Sequence, residues 1–360
     1  MINRIVTWGI GIFFVLGAID YLIGNKLGLG KTFEKTLHKM GLILMGVMGV
    51  YSLAPVLATV VTPVVTPLAD LIGVDPSVFP AMLFPIDMGG YQLAMDAAKD
   101  AQMGLVSAVL TSSICGATVG YTITVAVTVV DKKYHAALAK GILSGMVGVP
   151  VGCLAGALLC GVPFLTALYN TLPLCVLAAL LAWGLFKKPQ LMTKLFVFFG
   201  RILSCIAIVG LTLQALQHLL KVEILPGMMP IEGGLKLIAT IIFSMTGAMC
   251  LMEVLKKVLR KPLHKCAQLM GIGDNAVAGM LASLVSVTLA FTQADDMDER
   301  GLIVVCAVCA TVAHVIGGQF GVVVELAPDL LTPFVAGKFI AGAAGVAVAL
   351  LLTRHRKTDA

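Results

Sequence analysis

Long apolar runs separated by short polar stretches recur along the whole chain. A helix needs about 20 predominantly apolar residues to cross the hydrocarbon core of a bilayer. Runs of this kind lie at 5–24, 40–62, 103–130, 136–162, 171–186, 202–220, 235–256, 301–325 and 335–353. The pattern predicts an all-α polytopic membrane protein. The first run is predicted to be a span and not a removable signal, because no small-x-small cleavage site follows it.

Two further apolar stretches, at 76–94 and 274–294, are interrupted. The first carries three prolines and the pair Gly89-Gly90, and the second opens with Gly-Ile-Gly-Asp-Asn at 271–275. Proline and glycine both disfavour a continuous helix. Each stretch is therefore predicted either to cross the membrane as a broken helix or to enter and leave on the same side.

The distribution of Lys and Arg favours the second alternative. Basic residues cluster at 26–39, 132–140, 187–201, 256–265 and 354–357. Cytoplasmic loops of membrane proteins are enriched in Lys and Arg. All five clusters lie on one side only if both interrupted stretches are re-entrant, so we predict nine spans, an outside N-terminus and a cytoplasmic C-terminus.

Composition supports a membrane protein and excludes a soluble one. Hydrophobic residues make up 59% of the chain and charged residues only 12%, whereas soluble domains carry about 25% charged residues. The formal net charge is +6, and basic clusters can bind nucleic acid. Because these clusters alternate with apolar runs, we predict contact with the lipid bilayer and no nucleic-acid partner.

The interrupted stretches lie at matching positions of a weak internal repeat. Residues 71–74 (Leu-Ile-Gly-Val) resemble residues 269–272 (Leu-Met-Gly-Ile). Farther on, Ala139-Lys140 matches Gly337-Lys338 in the same register. The sequence therefore predicts two transmembrane repeats.

The predicted repeats have opposite orientations in the membrane. Each repeat contains four spans and one re-entrant segment, and the linking helix between them adds one more crossing, so the second repeat starts on the opposite side. Inverted repeats with broken helices are typical of secondary transporters. The predicted units are a first repeat at 1–163 with re-entrant segment 76–94, a linking helix and basic loop at 164–199, and a second repeat at 200–360 with re-entrant segment 274–294.

Asp87 is the leading candidate for a functional residue. It lies in the sequence Pro-Ile-Asp-Met-Gly-Gly-Tyr-Gln at 85–92, where proline and glycine free backbone carbonyls. A carboxylate inside the hydrocarbon is costly unless it is paired or lines a wet cavity, and it suits a cationic amine. The alternative is a solvated aspartate at the end of the segment. The predicted substrate-binding residues in this segment are Asp87, Met88, Gly89, Gly90, Tyr91 and Gln92.

Other predicted contacts come from polar residues in or beside the later apolar runs. Each has a structural alternative, because Asn commonly caps helices and hydroxyl side chains usually bond to backbone carbonyls. His314 could relay protons, but a histidine whose hydrogen bonds are satisfied within the structure is the better interpretation. The added candidates are Thr118, Tyr121, Asn275, Gln293, Asp295 and Gln319.

Motifs of enzymes are missing from the sequence. It contains no G-x-x-x-x-G-K-[ST] loop for nucleotide phosphates, no H-E-x-x-H and no Ser/His/Asp arrangement. Its nine cysteines follow no disulfide spacing, and Cys306 and Cys309 are predicted to be small packing residues. We therefore predict no catalytic residue, no metal site and no cofactor.

Several motifs resemble those of the bacterial ethanolamine permease family. They are Leu-Ala-Pro-Val-Leu-Ala at 53–58, Asp-Met-Gly-Gly at 87–90, Asp-Lys-Lys-Tyr at 131–134, Gly-Val-Pro-Val-Gly-Cys-Leu-Ala-Gly at 148–156 and Asp-Met-Asp-Glu-Arg-Gly at 296–301. The resemblance implies a bacterial inner-membrane permease that takes up ethanolamine as a carbon and nitrogen source. One departure is Gly-Gly-Gln-Phe-Gly at 317–321, where the family pattern is similar to Gly-Asp-His-Leu-Gly.

The residues alone lead to a carrier of a small polar or cationic solute. Two alternatives stay open: a carrier of another solute, such as an amino acid or organic anion, and a passive channel. A scaffold or sensor is less attractive, because Asp87 lies inside the membrane. Association of several copies into a homo-oligomer stays open as well.

Overall fold

The computed structural model describes residues 2–258 and 260–353, and within these ranges the chain is helical and contains no strand. The basic residues at 354–357 lie outside the described residues. The first helices are α1 (Ile2–Leu22), α2 (Gly30–Leu37), α3 (Met40–Ile72), α4 (Val78–Leu83), α5 (Tyr91–Ala97), α6 (Ala101–Val106), α7 (Ile123–Val129), α8 (His135–Leu159) and α9 (Phe164–Lys187). They are followed by α10 (Pro189–Leu220), α11 (Ile231–Val258), α12 (Arg260–Met270), α13 (Asp274–Ser283), α14 (Val287–Phe291), α15 (Glu299–Cys309), α16 (Gly318–Leu326) and α17 (Leu331–Leu352).

Seven helices of the described chain are long and apolar enough to cross a membrane. They correspond to seven of the nine predicted spans. Of the other two, the first forms a shorter apolar helix at Val6–Leu22. The predicted span at 301–325 is not a continuous helix, because α15 ends at Cys309 and α16 begins at Gly318.

Two stretches outside the predicted spans, residues 63–72 and the basic loop at 187–199, are helical. Helix α3 is 33 residues long and continues through Pro55, Pro63 and Pro67, so it is about 50 Å long at 1.5 Å per residue. Helix α10 begins at Pro189, and only Lys188 separates it from α9. Proline is favoured in the first turn of a helix, where its missing N–H leaves no bond unmade.

The helices form a buried centre and an apolar exterior. In an apolar 18-residue part of Ala101–Val129, 94% of the residues are buried, whereas the corresponding parts of α9 and α10 have only 33% and 22% of their residues buried. Residues Val176, Leu180, Trp183 and Phe198 expose more than half of their surface. An exposed face this apolar suits contact with lipid, so α9 and α10 form the outer surface around the central helices.

Glycines on α8 allow close helix packing on two sides. A Cβ at Gly145 would lie 2.7 Å from the Ala307 carbonyl oxygen of α15, and a Cβ at Gly148 would overlap the Ala341 carbonyl of α17. The glycines of α8 therefore form a packing surface, as small residues commonly do in membrane helices.

Replacing Gly148 with Ala should separate α8 from α17 or distort one of them. We expect a destabilisation of about 1–3 kcal/mol, the usual cost of overpacking, measured as a lower thermal midpoint in detergent. The control is Gly11→Ala, because no atom lies within 4 Å of the added Cβ there. Equal midpoints for the two variants would contradict this packing.

Candidate functional site

The first interrupted segment breaks at Phe84 and Pro85. Helix α4 ends at Leu83, and both following residues have extended backbones, with ψ of 128° and 147°. Gly89 then adopts a left-handed φ of 82°, and a Cβ at Gly90 would overlap the Phe84 carbonyl. Only glycine fits both positions. The turn holds Asp87 between α4 and α5.

The second interrupted segment breaks between α13 and α14, beside the gap between α15 and α16. The amide of His314 donates to the Ser283 carbonyl at 3.0 Å, and that of Ile316 donates to the Leu284 carbonyl at 3.0 Å. His314 has a left-handed φ of 61°. Backbone groups that lose helical partners inside a membrane must find others. Amides in the gap between α15 and α16 therefore bond to carbonyls at the break between α13 and α14.

The central stretch Ala101–Val129 joins the two breaks. It is π-helical at Ser107–Gly116 and Thr118–Thr122, and π-helical turns are frequent at functional sites. The Thr118 hydroxyl donates to the Ala310 carbonyl at 2.6 Å. Tyr121 lies with its ring 5.7 Å from the His314 ring and its hydroxyl 3.5 Å from Thr288 Oγ1.

A cavity of about 390 Å³ lies where these breaks meet. Its volume is in the range of small-molecule sites, which are mostly apolar with few polar groups. The cavity extends past the first turns of α3 to Lys39. Besides Lys39, the polar residues that line the cavity are Asp87, Tyr121, Ser286, Thr288, His314 and Gln319.

Asp87 is the one acidic residue among the described residues that line the cavity. A Cβ added at Gly318 would lie 3.4 Å from Asp87 Oδ2, so the carboxylate faces the first turn of α16. The positive end of a helix stabilises an anion there. In the described part of the chain no other residue donates a hydrogen bond to this carboxylate. A cationic group in the cavity can therefore reach it.

Lys338 of α17 lies behind the cavity wall, and it was not among the site residues predicted from the sequence. Its side chain is 1% exposed, and its Nζ donates to the Ser113 carbonyl at 2.7 Å and to Gln319 Oε1 at 2.9 Å. The Phe334 ring lies 5.5 Å from Nζ. A lysine inside an apolar run is rare and commonly functional, so the argument applied to Asp87 would have found it.

Four predicted site residues line the cavity: Asp87, Met88, Tyr121 and Gln319. Four others form the surrounding structure. Gly89 and Gly90 shape the turn, Thr118 bonds to backbone carbonyls, and the Tyr91 hydroxyl donates to the Leu326 carbonyl at 3.1 Å. Gln92 is half-buried, outside the cavity lining.

The three predicted residues around the ends of the second segment lie away from the cavity. The Asn275 amide donates to the Asp296 carbonyl at 2.8 Å, and that of Gln293 donates to the Leu289 carbonyl at 2.7 Å. Asp295 is exposed and lies 3.6 Å from Lys133 Nζ. Ser286, Thr288 and His314 line the cavity instead. Among the described residues no cluster of three or more His, Cys, Asp or Glu could hold a metal.

Comparison with known proteins identifies the family. The family model described as "Ethanolamine utilisation protein, EutH" matches residues 2–352. A Listeria monocytogenes protein named "Probable ethanolamine permease EutH" is 38% identical over 354 residues, 98% of this chain and 95% of that protein. A Salmonella typhimurium protein of the same name is 30% identical over 389 residues, with the same shares covered.

A further relative carries no functional name. "Uncharacterized protein YxeR" of Bacillus subtilis is 34% identical over 352 residues, 98% of this chain and 95% of that protein. No solved structure matches the chain. Because the family model and these relatives cover nearly its full length, the chain is a multi-pass membrane protein of the EutH family of ethanolamine utilisation proteins.

Proposed function

We propose that this protein imports ethanolamine, or a closely related small polar amine, across the bacterial inner membrane by alternating access. The observation that carries the proposal is the Asp87 carboxylate in the cavity, beside two helix breaks. At neutral pH the amine is a cation, since primary amines ionise near the lysine value of about 10.4. Two relatives named as probable ethanolamine permeases support the same substrate.

In the proposed binding mode, the ammonium group of the amine faces Asp87. The hydroxyl group then faces the wall formed by Tyr121, Thr288 and His314, whose polar atoms can donate or accept hydrogen bonds. The apolar remainder of the cavity contacts the two carbons. This division of the site between a charged end and a hydroxyl-binding end favours a short amino alcohol.

A second candidate is a carrier of an amino acid, for which Lys338 is the specific observation. Its ammonium group would suit a carboxylate. However, Lys338 already donates to Ser113 and Gln319 and is buried behind the cavity wall. Asp87 faces the cavity directly, so the amine is the better substrate.

The proposal includes two re-entrant segments, and bonds at their ends support it. The Asp75 carboxylate accepts from the amides of Lys99 and Asp100 at 3.0 and 2.9 Å, which joins the two ends of the first segment. In the second segment, Asp298 Oδ1 accepts from the Gly273 amide at 2.8 Å. A segment whose ends are bonded together enters and leaves on one side.

The two segments also end in the same way, which supports the inverted repeat. Asp100 accepts from the Met103 amide at 2.8 Å and caps α6. Asp298 accepts from the Gly301 amide at 2.9 Å and caps α15. In the proposed topology the first segment enters from outside and the second from the cytoplasm. The cavity reaches Lys39 in the basic cluster 26–39, so it opens toward the cytoplasm.

Replacing Asp87 with Asn should abolish most amine uptake, because the amide loses the charge that binds the ammonium. A charge-assisted hydrogen bond contributes about 1.5–3 kcal/mol, so uptake of labelled ethanolamine into proteoliposomes at subsaturating concentration should fall about 10- to 100-fold. Asp96→Asn is the matched control, since that aspartate is exposed on α5, the helix that follows Asp87, and lies outside the cavity. Equal uptake by both variants would remove Asp87 from the site.

Cysteines at positions 70 and 99 should label from the same side of the membrane. Asp70 and Lys99 form an ion pair across the ends of the first segment, and both are more than half exposed. An impermeant maleimide should reach both from outside and Lys132→Cys from the cytoplasm, after the exposed Cys175 and Cys205 are replaced. Labelling of 70 and 99 from opposite faces would mean that the segment crosses the bilayer.

A further inference from the structure

Lys338 is a buried cation whose hydrogen-bond partners are neutral. Ser113 O and Gln319 Oε1 accept from its ammonium, and they come from the central π-helical stretch and from the first turn of α16. Removing an ammonium from water costs several kcal/mol, and neutral acceptors only partly offset this. The charge therefore needs an anion nearby.

Asp87 supplies that anion. The titratable groups that interact electrostatically with Lys338 are Asp87 on the turn between α4 and α5, Cys153 on α8, and His314 in the gap before α16. At neutral pH an ordinary thiol and an ordinary imidazole are largely uncharged. Of these groups, only the carboxylate can balance the ammonium. The start of α16 contacts both charges: a Cβ at Gly318 would lie 3.4 Å from Asp87 Oδ2, and the next residue, Gln319, accepts from Lys338 Nζ at 2.9 Å.

Binding of a cationic amine disturbs this balance, because two ammonium groups then share one carboxylate. Like charges in a poorly solvated site disfavour each other's ionisation. The amine lies in the cavity and Lys338 lies in the protein behind Gln319. The buried lysine, with less access to water, is the one that gives up its charge.

We propose that Lys338 couples transport to protons: amine binding at Asp87 releases one proton from the Lys338 ammonium, so each imported amine cation is exchanged for one exported proton. This inference rests on the proposed function. An N–H bond of Lys338 breaks, its electron pair stays on Nζ, and the proton leaves to water in the cavity. When the amine departs to the cytoplasm, Nζ takes up a proton there and the empty carrier returns with it.

The exchange leaves the net charge of the site unchanged in every step. The Asp87 carboxylate is balanced by one cation at a time, either Lys338 or the amine, and the charge of Lys39 at the far end of the cavity does not change. Transport is therefore electrically neutral, although the transported species is charged. The membrane potential does no work on it, whereas a carrier without exchange would accumulate the amine about 50-fold at 100 mV.

Proton release on binding tests the inference directly. Ethanolamine is titrated into the purified full-length protein at pH 7 by calorimetry, in two buffers of different ionisation enthalpy. We expect about one proton released per amine bound. Binding without proton release would overturn the inference and leave the proposed function standing. Absence of binding would overturn both.

Lys338→Arg identifies the source of the proton. Arginine stays charged in proteins, so this variant should release no proton and should bind ethanolamine at least about 10-fold more weakly. Unchanged proton release would assign the proton to another group and contradict the role of Lys338. Its thermal midpoint and gel-filtration profile are compared with wild type, because the larger side chain has to fit a packed site.

A flux measurement needs no variant. Labelled ethanolamine uptake into wild-type proteoliposomes is followed with and without a potassium diffusion potential of about 100 mV, negative inside, with protein-free liposomes as the control for leakage. Exchange predicts final accumulations that differ by less than about 2-fold. Accumulation approaching 50-fold would show electrogenic uptake and would overturn the inference.

Discussion

The architecture depends on a constraint of the bilayer: a backbone group that leaves a helix inside the hydrocarbon must find another partner. The gap between α15 and α16 and the break after Ser283 meet this constraint together, through the amides of His314 and Ile316. Thr118 ties the central stretch to the same gap. Irregular backbone from distant parts of the chain therefore meets at one place in the structure, and the cavity lies there.

The two charges, Asp87 and Lys338, are likewise placed so that each offsets the other. Asp87 faces the cavity from the first break, and Lys338 lies behind the second, bonded to Gln319. Each charge lowers the cost of burying the other. The carboxylate lies close to the start of α16, where a Cβ at Gly318 would make an ordinary contact with Asp87 Oδ2 at 3.4 Å. Gly318 and Gln319 thus contact the two charges from one helix end.

Much of the fold followed from hydropathy, and the site followed only in part. Long apolar runs predicted seven of the spans, and Pro85 with Gly89 predicted the first break. The gap after Cys309 was missed because 301–325 is predominantly apolar and its break depends on partners far away in sequence. Lys338 was missed because it had served only to align the repeats. Asn275 and Asp295 were predicted from polarity, which does not distinguish a cavity from a water-exposed end.

The length of α3 has a consequence for the lipid environment. This helix is about 50 Å long, whereas the hydrocarbon core of a bilayer is about 30 Å thick. Such a hydrophobic mismatch is relieved by tilting, protrusion or local thickening of the membrane. Leu42, Ile43 and Gly46 of α3 line the cavity, so a change in its tilt alters the access path itself. A bilayer whose thickness changes the tilt of α3 would therefore also shift these cavity-lining residues.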